Sequence, residues 1–96
     1  MNRDDIISIL QQHKQHLSRT FGVKVLGLFG SAARDALRSD SDIDILVAFD
    51  GPATSKRYFG VQFYLEDLFG HAVDLVTEKA LRSELRPHVE REAIRV

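Results

Sequence analysis

Residues 29–49 read FGSAARDALRSDSDIDILVAF, and this stretch contains most of the information about the expected fold. A Gly-Ser pair, Gly30-Ser31, follows directly after an apolar run. Two aspartates, Asp42 and Asp44, then stand at the head of the next apolar run. Charge at the edge of a buried strand costs free energy unless a partner compensates it. The two carboxylates therefore require a chemical explanation.

Two amphipathic helices are predicted from apolar residues at helical spacing. Asn2 can cap the first helix and Gly22 can end it; its apolar stripe comprises Ile6, Leu10, His13 and Leu17. The second helix follows a loop that we expect to extend as far as Arg57, and Gly70 should end it. Its apolar stripe comprises Tyr58, Val61, Leu65 and Leu68.

Three strands alternate with these helices. They are predicted over residues 23–29, 43–49 and 72–76, with a short helix over 31–37 and a final helical stretch that Pro87 interrupts or restarts. This alternation predicts an α/β fold, a small mixed β-sheet flanked by helices. The length of 96 residues corresponds to a single domain.

The composition argues against several classes of protein. Thirteen Lys and Arg against 14 Asp and Glu leave the net charge near zero, which does not favour direct binding to nucleic acid or to an anionic membrane. The chain has no cysteine, so it has neither a disulfide nor a thiolate metal site. The first residues are too polar for a signal peptide, and no apolar run approaches the ~20 residues of a spanning helix. We therefore expect a cytoplasmic protein.

A third carboxylate, Asp74, stands in the third predicted strand, within the apolar sequence AVDLV. Side chains alternate along a strand, so Asp42 and Asp44 point the same way, and all three carboxylates converge if the two strands are neighbours. Like charges that close repel, and one or two Mg²⁺ ions would compensate them with oxygen ligands. A structural alternative is that Asp74 forms a salt bridge with Arg34 or Arg57.

The Gly30-Ser31 turn fits the same chemistry because it follows a strand and opens a predicted helix. Backbone N–H groups at such a turn can bind a phosphate. Gly30 permits close approach of a ligand to the backbone, and Ser31 adds a hydroxyl. Ten residues separate Ser31 from Asp42.

This combination of the Gly-Ser pair, the ten-residue gap and Asp42-Ile43-Asp44 resembles the signature of the polymerase-β-like nucleotidyltransferase superfamily. The segments SDIDILV and LEDLFGHAVDLVTEKAL resemble its minimal nucleotidyltransferase (MNT) family, which includes the antitoxins of HEPN/MNT toxin–antitoxin systems. The resemblance covers nearly the whole chain and is weakest over residues 1–21. One departure is visible, because family members often have a glycine where this chain has Asp35, directly after Arg34.

The resemblance implies an enzyme that uses ATP and two Mg²⁺ ions. Asp42 and Asp44 would bridge the ions, while Asp74 would hold the catalytic ion and take the proton from the acceptor hydroxyl. The nucleotide-binding residues that it implies are Gly30, Ser31 and Arg34.

The resemblance also implies a partner, a HEPN-type ribonuclease toxin whose tyrosine would receive AMP from ATP. A chain of this length leaves no room for a separate acceptor-binding domain, so we expect a partner to present the acceptor, with Lys56 and Arg57 as candidate contacts in the loop. Two alternatives stay open: an antitoxin that neutralises its toxin by binding alone, and a nucleotidyltransferase with a small-molecule acceptor.

Overall fold

One four-stranded sheet organises the computed structural model, which describes residues 1–96. Its strands are β1 (Val23–Phe29), β2 (Ile43–Phe49), β3 (Val73–Thr77) and β4 (Ile94–Arg95). The strand order is β3-β2-β1-β4. β1 runs antiparallel to both β2 and β4, whereas β2 and β3 run parallel. The predicted mixed β-sheet is confirmed.

The helices are α1 (Arg3–Phe21), α2 (Gly30–Ala33), α3 (Ser55–Phe69) and α4 (Arg86–Glu92), with a 3₁₀ helix over Glu78–Ala80. The predicted cap of α1 is present, because the Asn2 side chain accepts a hydrogen bond from the Asp5 backbone N–H at 2.9 Å. α1 ends at Gly22, whose φ of 75° lies in the left-handed region that glycine adopts easily. Both predicted ends of α1 are therefore confirmed.

The start of α3 corrects one prediction. The Thr54 side chain accepts a hydrogen bond from the Arg57 backbone N–H at 3.2 Å and caps the helix there. Lys56 and Arg57 therefore lie in the first turn of α3, and the prediction that they lie in a loop is wrong. The helix begins earlier than its apolar stripe indicates, because the capping residue Thr54 lies four residues before Tyr58, the first residue of the stripe.

The hydrophobic core lies between one face of the sheet and the helices α1 and α3. Both predicted stripes face it, and Tyr58 and Leu68 pack at its margin. Side chains with no exposed surface include Ile6, Leu10, Leu17, Ile43, Ile45, Val47, Val61 and Leu65. His13 is half-buried beside this core and its Nδ1 lies 2.6 Å from the Tyr64 hydroxyl.

The free edge of β3 is covered by side chains of α3 at a spacing of four residues. The Tyr58 hydroxyl donates to the Leu75 carbonyl, and the Gln62 amide donates to the Val73 carbonyl at 3.2 Å. The Val73 N–H in turn donates to the Glu66 carboxylate at 3.1 Å. These bonds occupy backbone groups that would otherwise be open to pairing with another strand.

The C-terminal segment folds back along the opposite edge of the sheet. Pro87 lies in the first turn of α4. Of the two predicted alternatives, that Pro87 interrupts the final helical stretch or begins a new helix, the second is confirmed. β4, which the sequence analysis did not predict, then pairs with β1 through two residues. No helix of the chain combines the length and the apolar content needed to cross a membrane.

Candidate active site

The register of the three longer strands brings the candidate carboxylates to one end of the sheet. Phe29, the last residue of β1, is paired with Asp44 on β2, and Asp44 is paired with Asp74 on β3. Asp42 lies one residue before β2. The site therefore lies where β1 ends and where the parallel strands β2 and β3 begin.

The pKa of one carboxyl at this site, that of Asp44, is clearly raised. The pKa of the Asp44 carboxyl is raised to about 6, first by burial and then by the charge of Asp74, a hydrogen bond with Asp74, and the charges of Asp42 and Glu92. Asp42 and Asp74 are themselves exposed, whereas Asp44 is half-buried. The cluster is thus an open site with one partly desolvated carboxylate at its base.

Gly30 is in direct contact with this carboxylate. A Cβ atom at Gly30 would lie 2.0 Å from Oδ2 of Asp44 and 2.9 Å from its Cγ, which is far inside van der Waals contact. Gly30 also has a φ of 70°, which a residue with a side chain adopts only at a cost. The Gly-Ser turn and the aspartates are therefore parts of one site.

The helix that follows this turn is shorter than the predicted 31–37. α2 forms a single turn that includes Ser31 and ends before Asp35, whose φ of 58° is left-handed. The Asp35 carboxylate accepts a hydrogen bond at 2.9 Å from the backbone N–H of Arg3, at the start of α1. Asp35 therefore takes the conformation that a glycine would favour, and it compensates with a bond of its own.

Arg34 pairs with a residue that the sequence analysis did not select. Its Nη1 donates to Oε1 of Glu92, the last residue of α4. Oε2 of Glu92 lies 3.5 Å from Nε2 of His88, one helical turn earlier. Because the two partners are 58 residues apart in the chain, only the folded structure reveals the pair.

The alternative that Asp74 serves only as a salt-bridge partner finds no support in the structure. Arg34 is paired with Glu92, and Nη1 of Arg57 is paired with Asp50 Oδ1 at 2.9 Å. Asp74 instead interacts with Asp44. Asp44 and Asp74 therefore interact with each other rather than with the two arginines that could have neutralised Asp74.

The donor set suits a hard divalent cation. All the candidate ligands are carboxylate oxygens, which Mg²⁺ prefers, and their mutual repulsion is what a cation relieves. No three His, Asp or Glu side chains are already arranged closely enough around one point to enclose a metal ion. Mg²⁺ commonly keeps several waters and binds through one or two carboxylates together with substrate phosphates, so an open arrangement is compatible with it.

Comparisons with known proteins give a consistent result. Residues 10–96 match the family model described as the nucleotidyltransferase domain. The protein adenylyltransferase MntA of Thermococcus cleftensis is 41% identical over 93 residues, which is 97% of this chain and 94% of that protein.

Solved structures share the fold. A minimal nucleotidyltransferase superposes with a TM-score of 0.77 at 36% identity, covering 98% of this chain and 95% of that one. One chain of the complex between a tri-AMPylated Shewanella oneidensis HEPN toxin and an MNT antitoxin superposes on this chain with a TM-score of 0.61 at 21% identity. That match covers 98% of this chain and 67% of the other, and it shows that the two chains share a fold.

Proposed function

Because this chain belongs to the nucleotidyltransferase domain family, we propose that it transfers AMP from ATP to a hydroxyl group of a partner protein. The family and the fold predicted from the sequence are both confirmed by the comparisons. The observation that carries the proposal is the contact of Asp44 with Gly30 on one side and Asp74 on the other, because it unites a phosphate-binding turn with a carboxylate cluster.

Asp42, Asp44 and Asp74 would hold two Mg²⁺ ions. When bound, these ions would neutralise charge on the triphosphate and favour ionisation of the attacking hydroxyl. The raised pKa of Asp44, caused first by burial and then by Asp74, supports this assignment, because a cation nearby would stabilise the charged form.

The Gly30-Ser31 turn would bind the nucleotide's phosphates. Gly30 has no side chain to block the backbone, and its missing Cβ already leaves room for the Asp44 carboxylate. The Ser31 hydroxyl and the backbone N–H groups of the turn are donors for phosphate oxygens. Arg34, four residues after Gly30, would add a guanidinium, which suits phosphate recognition through paired N–H donors.

Asp74 would take the proton from the acceptor hydroxyl. It is exposed on β3, so an incoming side chain can reach it and water can later remove the proton. The hydroxyl oxygen forms a bond to the α-phosphorus while the bond from that phosphorus to the pyrophosphate oxygen breaks. The products are an adenylylated acceptor and pyrophosphate.

The acceptor that we propose is a tyrosine of a HEPN-type ribonuclease toxin, and the chain would act as the toxin's antitoxin in the cytoplasm, where ATP is available. The relative from Thermococcus cleftensis is a protein adenylyltransferase, which supports a protein acceptor. The tri-AMPylated HEPN toxin in the structurally similar complex supports the kind of partner.

Intact mass spectrometry of a HEPN-type partner tests this proposal. The partner is incubated with Mg²⁺ and ATP together with the wild type, Asp74→Asn or Asp67→Asn, the last being a control that removes an exposed carboxylate of α3. We expect addition of one or more AMP units with the wild type and the control, and at least a ~1,000-fold slower rate with Asp74→Asn, since the proton acceptor and a metal ligand are lost together.

Either of two results would count against the proposal. Retained transfer by Asp74→Asn would remove that residue from the mechanism. A stable complex without any AMP addition by the wild type would favour neutralisation by binding alone.

A further inference from the structure

The C-terminal helix brings a fourth carboxylate to the candidate site. Glu92, at the end of α4, retains only 14% exposure of its side chain. Its charge reaches Asp44, since it is one of the charges that raise the pKa of that carboxyl after burial and Asp74. Glu92 therefore interacts with the carboxylate cluster as well as with Arg34, with which it pairs.

The backbone fixes the position of Glu92 closely. Two residues later, Ile94 is paired with Leu28 of β1, and Leu28 stands two residues before Gly30. Val89, one turn before Glu92 on α4, is buried against the rest of the molecule. Strand pairing and helix packing together hold the end of α4 beside the Gly30-Ser31 turn.

The Arg34 side chain, by contrast, is largely exposed, and its ion-pair partner is Glu92. Its side chain is 58% exposed, and it follows the single turn of α2 directly before the left-handed Asp35. A long arginine side chain loses substantial conformational entropy when a ligand immobilises it. An anchor that limits this freedom before the ligand arrives improves binding.

The geometry of the pair leaves Arg34 able to bind a second anion. A guanidinium has five N–H donors, and Glu92 accepts from Nη1 alone. The donors on Nε and Nη2 remain available for phosphate oxygens. Glu92 can therefore hold the arginine without using up its capacity for hydrogen bonding.

We infer that Glu92 is a positioning residue that holds the Arg34 guanidinium beside the Gly30-Ser31 turn for the phosphates of the nucleotide. This inference rests on the proposed function, because it needs a nucleotide at that turn. It makes α4 and β4 part of the nucleotide site, since they carry the anchor. The opposite role, in which Glu92 masks Arg34 and competes with phosphate, predicts changes of opposite sign.

Variants of Glu92 and Arg34 test the inference through nucleotide affinity. The KM for ATP and kcat of AMP transfer are measured separately, and the Kd of a non-hydrolysable ATP analogue with Mg²⁺ is measured by calorimetry. We expect Glu92→Ala to raise KM and Kd about tenfold while kcat changes less than about twofold, as for the loss of a charge-assisted hydrogen bond that acts on binding. Glu92→Gln keeps an acceptor oxygen, so its increase should be only about threefold.

Two further variants show whether the effect passes through Arg34. In an Arg34→Ala background, adding Glu92→Ala should raise Kd no further, because the group that it positions is already gone. Asp50→Asn, which removes the partner of Arg57 in a comparable ion pair elsewhere, should leave KM and Kd unchanged. Thermal unfolding establishes that each variant is folded, and Glu92→Gln decides the matter if Glu92→Ala does not fold.

The possible outcomes separate the inference from the proposed function. An unchanged or lower Kd in the Glu92 variants, or independent effects of the Arg34 and Glu92 substitutions, would overturn the inference even if AMP transfer is normal. The expected Kd changes in a protein that transfers no AMP would support the inference and overturn the proposed transfer. A drop in kcat at unchanged KM would also contradict a positioning role in binding.

Discussion

The two faces of the sheet differ in the side chains that β2 places on them. Ile43, Ile45 and Val47 point to the face that α1 and α3 cover, and none of them has exposed surface. Asp44 lies on the other face, and its pKa is raised by burial and by the charges of Asp74 and Asp42. One strand of seven residues therefore serves both a closed apolar core and an open charged site.

The difference between the faces is one of free energy. The core face contributes to stability in proportion to the apolar surface that it removes from water. The site face holds like charges close together, which opposes folding unless a cation is present. Substitutions on the two faces should therefore separate stability from activity.

The largest loss of stability is expected from a truncation in the core. Leu65→Ala removes a fully buried side chain of α3 and should destabilise the fold by about 3 kcal/mol. Urea unfolding measures this loss, and the rate of AMP transfer per folded molecule should be unchanged. A large fall in that rate at low temperature, where the variant is folded, would show that the core face also shapes the site.

Two glycines provide a matched comparison of the faces. A Cβ at Gly60 would lie 2.4 Å from the Phe21 ring, where α3 meets α1, whereas a Cβ at Gly30 would meet Asp44. We expect Gly60→Ala to cost about 2 kcal/mol of stability with normal transfer, because the ring must shift. Gly30→Ala should slow transfer about 100-fold by displacing Asp44, since small misplacements of reacting groups have effects of that size.

The results of this comparison are read from urea unfolding and from the rate of AMP transfer. If Gly30→Ala loses only stability and keeps its transfer rate, the contact between the turn and Asp44 has no part in the reaction. If Gly60→Ala slows transfer at unchanged stability, the distinction between the faces fails.

The smallest effect concerns pH in the absence of divalent ions. Because the pKa of Asp44 rises from 3.8 to about 6 on folding, the folded state binds more protons between these values and stability falls as pH rises through them. The loss of stability caused by ionising Asp44 is absent below about pH 4 and complete above about pH 6. Because solvent screens this half-buried group, we expect the loss to be only about 1 kcal/mol.

Asp44→Asn lacks this titration and provides the reference. The free energy of unfolding of the wild type minus that of Asp44→Asn should become less favourable between pH 4 and pH 7. A difference that stays constant over this range would show that Asp44 titrates normally. The comparison cancels contributions from carboxylates elsewhere in the chain.

The elements of the core face were predictable from the sequence for a local reason. Helical spacing of apolar residues identified α1 and α3, and Asn2, Gly22 and Gly70 marked three of their ends. The start of α3 was predicted too late, since the cap Thr54 lies outside the apolar stripe. β4 was missed because a strand of two residues leaves no periodic pattern.

The site face was predictable only in part. Gly30, Asp42 and Asp44 lie close together in the sequence at a recognisable spacing, and Asp74 stood out as a charge within an apolar strand. Glu92 gave no such signal, because it lies among other charged residues of the C-terminal segment and meets Arg34 only through the fold. Contacts across distant elements depend on register and packing, which a single sequence does not specify locally.

The most direct measurement is a Mg²⁺ titration of thermal stability for the wild type and Asp44→Asn at about pH 7.5. We expect the wild type to be no more stable than Asp44→Asn in a chelator, because only the wild type has the repulsion between Asp44 and its neighbouring carboxylates. Mg²⁺ should then stabilise the wild type more than the variant, by an amount that rises with the logarithm of its concentration. Equal stabilisation of both proteins, or a wild type that is clearly more stable without Mg²⁺, would contradict the claim that this face is a carboxylate site built for a cation.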